Sequence, residues 1–122
     1  MILSFFLHGF GEASNLYGQT PVLDWALSTG ATLSDDGNAV VIDQTGNAFC
    51  AGYHQATVDL DPGPGVLSAA GGGIFLQKFD PQGSLVWAVN YVCTGSPQFY
   101  DLALDANGNL LAVGTFTGTV DF

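Results

Sequence analysis

Basic residues are almost missing from this chain. Lys78 is the only one among 122 residues, against eleven acidic side chains, for a formal charge of −10 at pH 7. A phosphate backbone is bound through a basic patch that neutralises it, so nucleic acid is excluded as a partner. An anionic membrane surface is disfavoured on the same ground. No apolar run approaches the ~20 residues of a membrane-spanning helix, which argues against membrane insertion. Only two cysteines and two histidines occur, and they form no paired Cys/His pattern of the kind that holds a metal. There is no Gly-x-Ser-x-Gly elbow and no His-Glu-x-x-His. Gly71-Gly-Gly73 leads into a strand pattern and so lacks the helix dipole that would hold a phosphate. Helical periodicity is absent too: apolar runs are short, and none keeps a 3.6 period over three turns.

What is present is a statement made twice. Residues 39–60, AVVIDQTGNAFCAGYHQATVDL, align without a gap on 101–122, DLALDANGNLLAVGTFTGTVDF. Asp43, Gly46, Asn47, Gly52, Thr57, Val58 and Asp59 fall on Asp105, Gly108, Asn109, Gly114, Thr119, Val120 and Asp121, each pair 62 positions apart. The offset carries upstream to Trp25-Ala26 and Trp87-Ala88. A fixed period of this length signals a repeat architecture.

Each copy reads as a β-hairpin, with strands over 40–43 and 49–53, then again over 102–105 and 110–116. Between the strands stand Asp43-Gln-Thr-Gly46-Asn47 and Asp105-Ala-Asn-Gly108-Asn109. Asn-Gly at the second turn predicts a type I′ geometry, which needs positive φ at both central residues. The leading Asp can accept hydrogen bonds from its own turn, so Asp43, Gly46, Asn47, Asp105, Gly108 and Asn109 are read as structural anchors. A second hairpin joins 74–79 to 85–91 through Asp80-Pro-Gln-Gly83. On its return strand Leu85, Trp87, Val89 and Tyr91 alternate with period two and are expected to share one face. Trp25 and Trp87 recur once per period and are expected to anchor neighbouring sheets; stacking on a sugar or base is the other role open to them.

Four strands per period in two linked hairpins predict an all-β fold of antiparallel four-stranded blades, as in a β-propeller. The propeller is incomplete: one full blade plus parts of two others. Position by position, 12–22 shares nothing with 74–84, so the first copy is expected to lack its upstream hairpin. The array is expected to span 23–122, its second copy truncated, as the N-terminal piece of a longer protein. Residues 14–22 read as a linker. Residues 1–13, MILSFFLHGFGEA, resemble a secretory signal peptide in outline, although no Lys or Arg precedes the apolar run and His8 interrupts it.

Val58-Asp-Leu-Asp-Pro-Gly-Pro-Gly65, Gly72-Gly-Ile-Phe-Leu-Gln-Lys-Phe-Asp80, Gly83-Ser-Leu-Val-Trp-Ala88 and Asp105-Ala-Asn-Gly-Asn109 together resemble the SBBP β-propeller repeats. The resemblance covers about residues 22–122. That family's repeats occur as tandem arrays in secreted and surface proteins of bacteria, often behind a signal peptide. The resemblance implies a seven-bladed propeller or similar array in the parent protein, and no shared catalytic residues. The chain departs from the pattern at Val92-Cys93-Thr94, where a glycine pair is usual. Asp80-x-x-Gly83-x-x-x-Trp87 also resembles hairpins of Asp-box propellers and of quinoprotein dehydrogenases, in which the element fastens blades together.

The expected function is a non-catalytic propeller segment of a secreted or cell-surface protein, a scaffold or a module for ligand binding or adhesion. The alternative is part of a propeller enzyme whose catalytic residues lie in other blades. Partners would be a ligand or protein, further blades of the parent chain, or other copies through self-association. No cofactor is required by any motif. The one metal candidate is calcium at Asp59 and Asp61, which lie two apart before a Pro-Gly turn and could share a face. Cys50 and Cys93 take the places of Ala112 and Ala31 in the repeat, which suits two free thiols in a core; a disulfide would fit an exported protein.

Overall fold

The computed structural model describes residues 2–8 and 22–120, and among them it contains ten strands and no helix. The strands are β1 (Ile2–His8), β2 (Val22–Thr29), β3 (Asp35–Ile42), β4 (Ala48–His54), β5 (Val58–Asp59), β6 (Ser68–Ala69), β7 (Gly73–Phe79), β8 (Leu85–Val92), β9 (Gln98–Leu104) and β10 (Leu110–Thr115). A four-stranded antiparallel sheet, β3-β4-β7-β8, forms the centre, and β1-β2 and β9-β10 are two-stranded sheets on either side. The short pair β5-β6 stands between β4 and β7. The sheets are not closed into a ring. The fold is therefore the incomplete arrangement expected from the repeat, one whole four-stranded unit flanked by two halves.

Register explains how the units stack. Across the central sheet, Val41, Phe49, Lys78 and Trp87 lie in one row, and Ala39, Ala51, Leu76 and Val89 in a parallel one. This first face packs against β9 and β10 through a core of Phe49, Ala51, Ile74, Phe99 and Leu102, with Trp87, Leu104 and Leu110 at its margin. The second face carries Ala48, Cys50, Phe79 and Leu85 and packs against Trp25 and Leu27 of β2. Trp25 and Leu27 are the repeat counterparts of Trp87 and Val89, which belong to the first face. Phe99 and Leu102 are the counterparts of Gly37 and Val40, which belong to the second. Both interfaces thus put the first face of one unit on the second face of the next.

Bulges set these faces. The pairing of β3 with β4 shifts at Asn38, and that of β9 with β10 shifts at Tyr100, the position 62 residues on. A bulge brings extra backbone toward the opposite strand, and here the opposite residues are Gly52 and Gly114. A Cβ at Gly52 would run into the carbonyl oxygen of Asp36 and the ring of Phe75; one at Gly114 would meet the carbonyl oxygen of Gln98. Of the two glycine pairs the repeat keeps, Gly52 and Gly114 are the one that faces its bulges. A second bulge, at Val86, separates Leu85 from the residues that follow it. Leu85 therefore pairs with Phe79 on the second face, whereas Trp87 and Tyr91 lie on the first. The expected sharing of one face by Leu85, Trp87, Val89 and Tyr91 holds only from Trp87 onward.

The first copy does have a partner strand. β1 pairs with β2 from Ile2↔Thr29 to Phe6↔Trp25, then shifts at Asp24 to Leu7↔Leu23. β7 pairs with β8 from Ile74↔Tyr91 to Lys78↔Trp87, then shifts at Val86 to Phe79↔Leu85. Every β2 residue is 62 positions before its β8 counterpart, but β1 is 72 before β7. The connection in the first hairpin is ten residues longer, and that displacement hides β1 from an alignment at the repeat period. The rest of the expected leader and linker, residues 9–21, lies outside the described residues, as do Asp121 and Phe122.

Candidate functional site

Three turns are built on one plan. In each, an Asp backbone carbonyl accepts from a glycine three residues on: Gly46 to Asp43 at 3.1 Å, Gly83 to Asp80 at 3.0 Å and Gly108 to Asp105 at 3.0 Å. The glycines have φ of 89°, 82° and 81°, and no other residue type has positive φ among the described residues. Asn107 therefore cannot take the first place of a type I′ turn. The loop is a three-residue connection, a type I turn closed by a left-handed glycine.

The Asp side chains complete these turns. Oδ1 of Asp43 accepts from the backbone amides of Thr45 and Asn47, both at 2.9 Å, and Oδ2 accepts from Nδ2 of Asn47 at 2.7 Å. Asp105 repeats this with the amides of Asn107 and Asn109 at 2.8 Å and Nδ2 of Asn109 at 2.7 Å. The Asn47 side chain beside Asp43, and that of Asn109 beside Asp105, hold both carboxyls below the usual carboxylate range. Such carboxylates stay ionised and committed to the backbone. The two turns sit side by side at one end of the seam between the central sheet and β9-β10, around an open cleft of about 610 Å³ that Val41, Ile42 and Leu104 also line.

Trp25 crosses from one unit to the next. Its indole Nε1 donates to the carbonyl of Pro81 at 3.2 Å, its ring lies 6.1 Å from that of Phe79, and its Cδ2 would be 2.9 Å from a Cβ at Gly83. The Asp80–Ser84 turn is thus a seat for a tryptophan of the preceding unit. Trp87 lies against Phe49 edge-on at 6.1 Å. Lys78, the lone cation, is centred 4.9 Å from the same Phe49 ring.

Asp59 and Asp61 hold a loop. Oδ1 of Asp59 accepts from the amides of Asp61 at 3.0 Å and Leu67 at 2.8 Å, and Oδ1 of Asp61 accepts from that of Gly63 at 2.8 Å. Beside them Gln77, which is buried, donates from Nε2 to the carbonyl of Leu60 at 2.7 Å. Among the described residues no group of three His, Cys, Asp or Glu side chains converges as on a metal ion. Two carboxylates folded back on backbone amides fall short of the six to eight oxygens calcium takes.

Two features escaped the sequence reading. His54 is fully buried, with Nδ1 donating to the carbonyl of Ala56 at 2.6 Å and Nε2 lying 2.8 Å from Oδ1 of Asn90. Its repeat counterpart is Phe116 and its partner Asn90 lies 36 positions away, so no local pattern marks the pair. The second is a polar cleft of about 210 Å³ at the other end of the seam, lined by Asp36, Asn38, Tyr53, Gln55, Ser96, Pro97 and Gln98. Cys50 is buried, Cys93 half-buried, and neither is joined in a disulfide.

Comparison with known proteins adds one relative. An uncharacterised WD repeat-containing protein of Acanthamoeba polyphaga mimivirus is 26% identical over 110 aligned residues, taking in 76% of this chain. The chain spans only 8% of that protein's length. The similarity agrees with a repeat-built, propeller-like all-β chain. No protein-family model and no solved structure matches it. No helix among the described residues is long and apolar enough to cross a membrane.

Proposed function

We propose that this chain is a run of β-propeller repeats serving as a non-enzymatic scaffold in a secreted or cell-surface protein, where it offers a surface to a ligand or a protein partner. The observation that carries the reading is the stacking sense: both inter-unit interfaces join a first face to a second face at the same period. Repeated addition in that sense builds a radial array of sheets. The turn carboxylates support a structural role, because their oxygens are taken up by backbone and asparagine donors. The similarity to a WD repeat-containing protein and the resemblance to SBBP repeats point the same way. The acidic charge suits a glycine-rich β surface that has to remain soluble.

Electron microscopy of the full-length protein tests the architecture. A ring of radially packed four-stranded sheets containing this segment is expected, and an extended array without a ring would overturn it. Antibody labelling of intact cells tests the location, with surface or secreted signal expected and signal confined to lysed cells refuting it.

A further inference from the structure

The polar cleft at the seam mixes hydrogen-bond donors and acceptors from two repeats. Asp36 and Asn38 come from the start of β3, Tyr53 and Gln55 from the end of β4, and Ser96, Pro97 and Gln98 from the entry to β9. Two repeats therefore contribute to it. Asn38 stands at the bulge, outside the regular pairing of β3 with β4. Its Oδ1 is shut off from solvent and has no hydrogen-bond partner. A buried acceptor without a donor is costly and is ordinarily supplied with one.

We propose that this cleft binds a single neutral sugar ring, the terminal unit of a glycan; the inference rests on the reading of the chain as a ligand-presenting scaffold. Three amides, a carboxylate and two hydroxyls line it, so donors and acceptors are mixed. Vicinal sugar hydroxyls need such a mixture, because each gives one hydrogen and accepts others. Asn38 lines the cleft while its Oδ1 is shut off from solvent, so a ligand hydroxyl completes that oxygen only on turning of the amide toward the opening. The Tyr53 ring gives an apolar wall beside these groups. No cation lines the cleft, and Lys78 is held over Phe49, so a phosphate, sulfate or uronate would meet Asp36 uncompensated. The volume of about 210 Å³ lies below the range of drug-sized sites and leaves room for one ring.

Comparison of the two copies separates these residues from the scaffold. Asp36, Asn38, Tyr53 and Gln55 correspond to Gln98, Tyr100, Thr115 and Thr117, whereas the turn and bulge-facing positions Asp43, Gly46, Asn47 and Gly52 recur unchanged. The second set recurs with the turns and bulges it serves, whereas the first differs between the copies, as a site built in one place would.

Saturation-transfer NMR on the soluble chain, with glucose, galactose, mannose, N-acetylglucosamine and glucuronate as probes, tests the proposal. At least one neutral sugar should receive saturation and glucuronate should not. Asn38→Ala and Gln98→Ala should each weaken the sugar by about tenfold, the worth of one lost hydrogen bond. Asn107→Ala, at the opposite cleft, should leave binding unchanged. Circular dichroism of each variant keeps misfolding from being read as lost binding. The proposal is overturned if no neutral sugar binds the folded chain, if glucuronate binds as well, if Asn107→Ala costs as much as Asn38→Ala, or if a peptide proves to be what fills the cleft. A ring seen by electron microscopy with no sugar bound would leave the scaffold standing and remove this inference alone.

Discussion

Replacing Gly83 with alanine should test the seat of Trp25 quantitatively, because the molecule contains its own control. Gly83 and Gly108 occupy the same place in two turns of the same build, with φ of 82° and 81°. A Cβ at Gly108 meets nothing within 4 Å. Gly108→Ala should therefore cost only the left-handed conformation, about 1–2 kcal/mol. At Gly83 the new Cβ would lie 2.9 Å from Cδ2 and 3.0 Å from Cγ of Trp25, where ordinary contact begins near 3.4 Å. The indole must move, which disturbs both its packing on Phe79 and its 3.2 Å hydrogen bond to Pro81. Overpacking of this kind adds about 1–3 kcal/mol, so Gly83→Ala should cost about 2–5 kcal/mol. Urea denaturation followed by circular dichroism of Gly83→Ala, Gly108→Ala, Trp25→Ala and the Trp25→Ala/Gly83→Ala double variant measures each term. With the indole gone, the excess at Gly83 should vanish, giving a coupling of about 1–3 kcal/mol. Equal costs at Gly83 and Gly108, with additivity in the double variant to within about 0.5 kcal/mol, would refute the inter-unit seat.

Gly52→Ala should be among the most damaging single changes, at about 3 kcal/mol or more, because the new methyl meets both a backbone carbonyl and the buried Phe75 ring; a soluble variant melting like the parent would contradict this. Asp43 and Asp105 have folded pKa values below the unfolded ~3.9, so their contribution is complete above that value and is lost as pH falls through the folded pKa. A pH series of melting temperatures should show Asp43→Asn losing stability near neutrality and converging on the parent in acid; a constant gap would contradict the linkage. Deleting residues 1–13 removes β1 and unpairs β2, and should lower the melting temperature by about 5 °C or more, since 1 kcal/mol shifts a domain of this size by several degrees. An unchanged value would show that this segment is an appendage, as a cleavable leader would be. Asp59→Ala forfeits the bonds from Asp61 and Leu67 and should cost about 1–2 kcal/mol equally with calcium or chelator; a parent stabilised by calcium, with the effect lost in the variant, would instead establish a metal site there.

Local signals carried the sequence reading where the physics is local. The Asp-x-x-Gly-Asn turns, the apolar runs beside them and the period that links their copies are readable because each is encoded within a few residues. Pairing between strands is not. Nothing in the sequence around Asn38 or Val86 announces a bulge, yet the bulge at Val86 moves Leu85 to the opposite face from Trp87. β1 was hidden by a connection ten residues longer than that in the next hairpin, although its register on β2 repeats that of β7 on β8. Asn107-Gly108 suggested a turn type that needs two positive φ values, and the Asp105 carboxylate instead stabilises a loop with only one. The polar cleft could not be read at all, since its sides come from β3, β4 and the entry to β9, which only the stacking of units brings together.

Successive units stack first face on second face, fastened by Trp25 in the Asp80–Ser84 turn. NOE spectroscopy of the Trp25 indole measures this most directly. Cross-peaks are expected from the indole ring to Gly83 and Phe79, together with slow solvent exchange of the Nε1 proton bound to Pro81. A Trp25 indole that exchanges as fast as a free side chain and shows no cross-peak to residues 79–83 would contradict it.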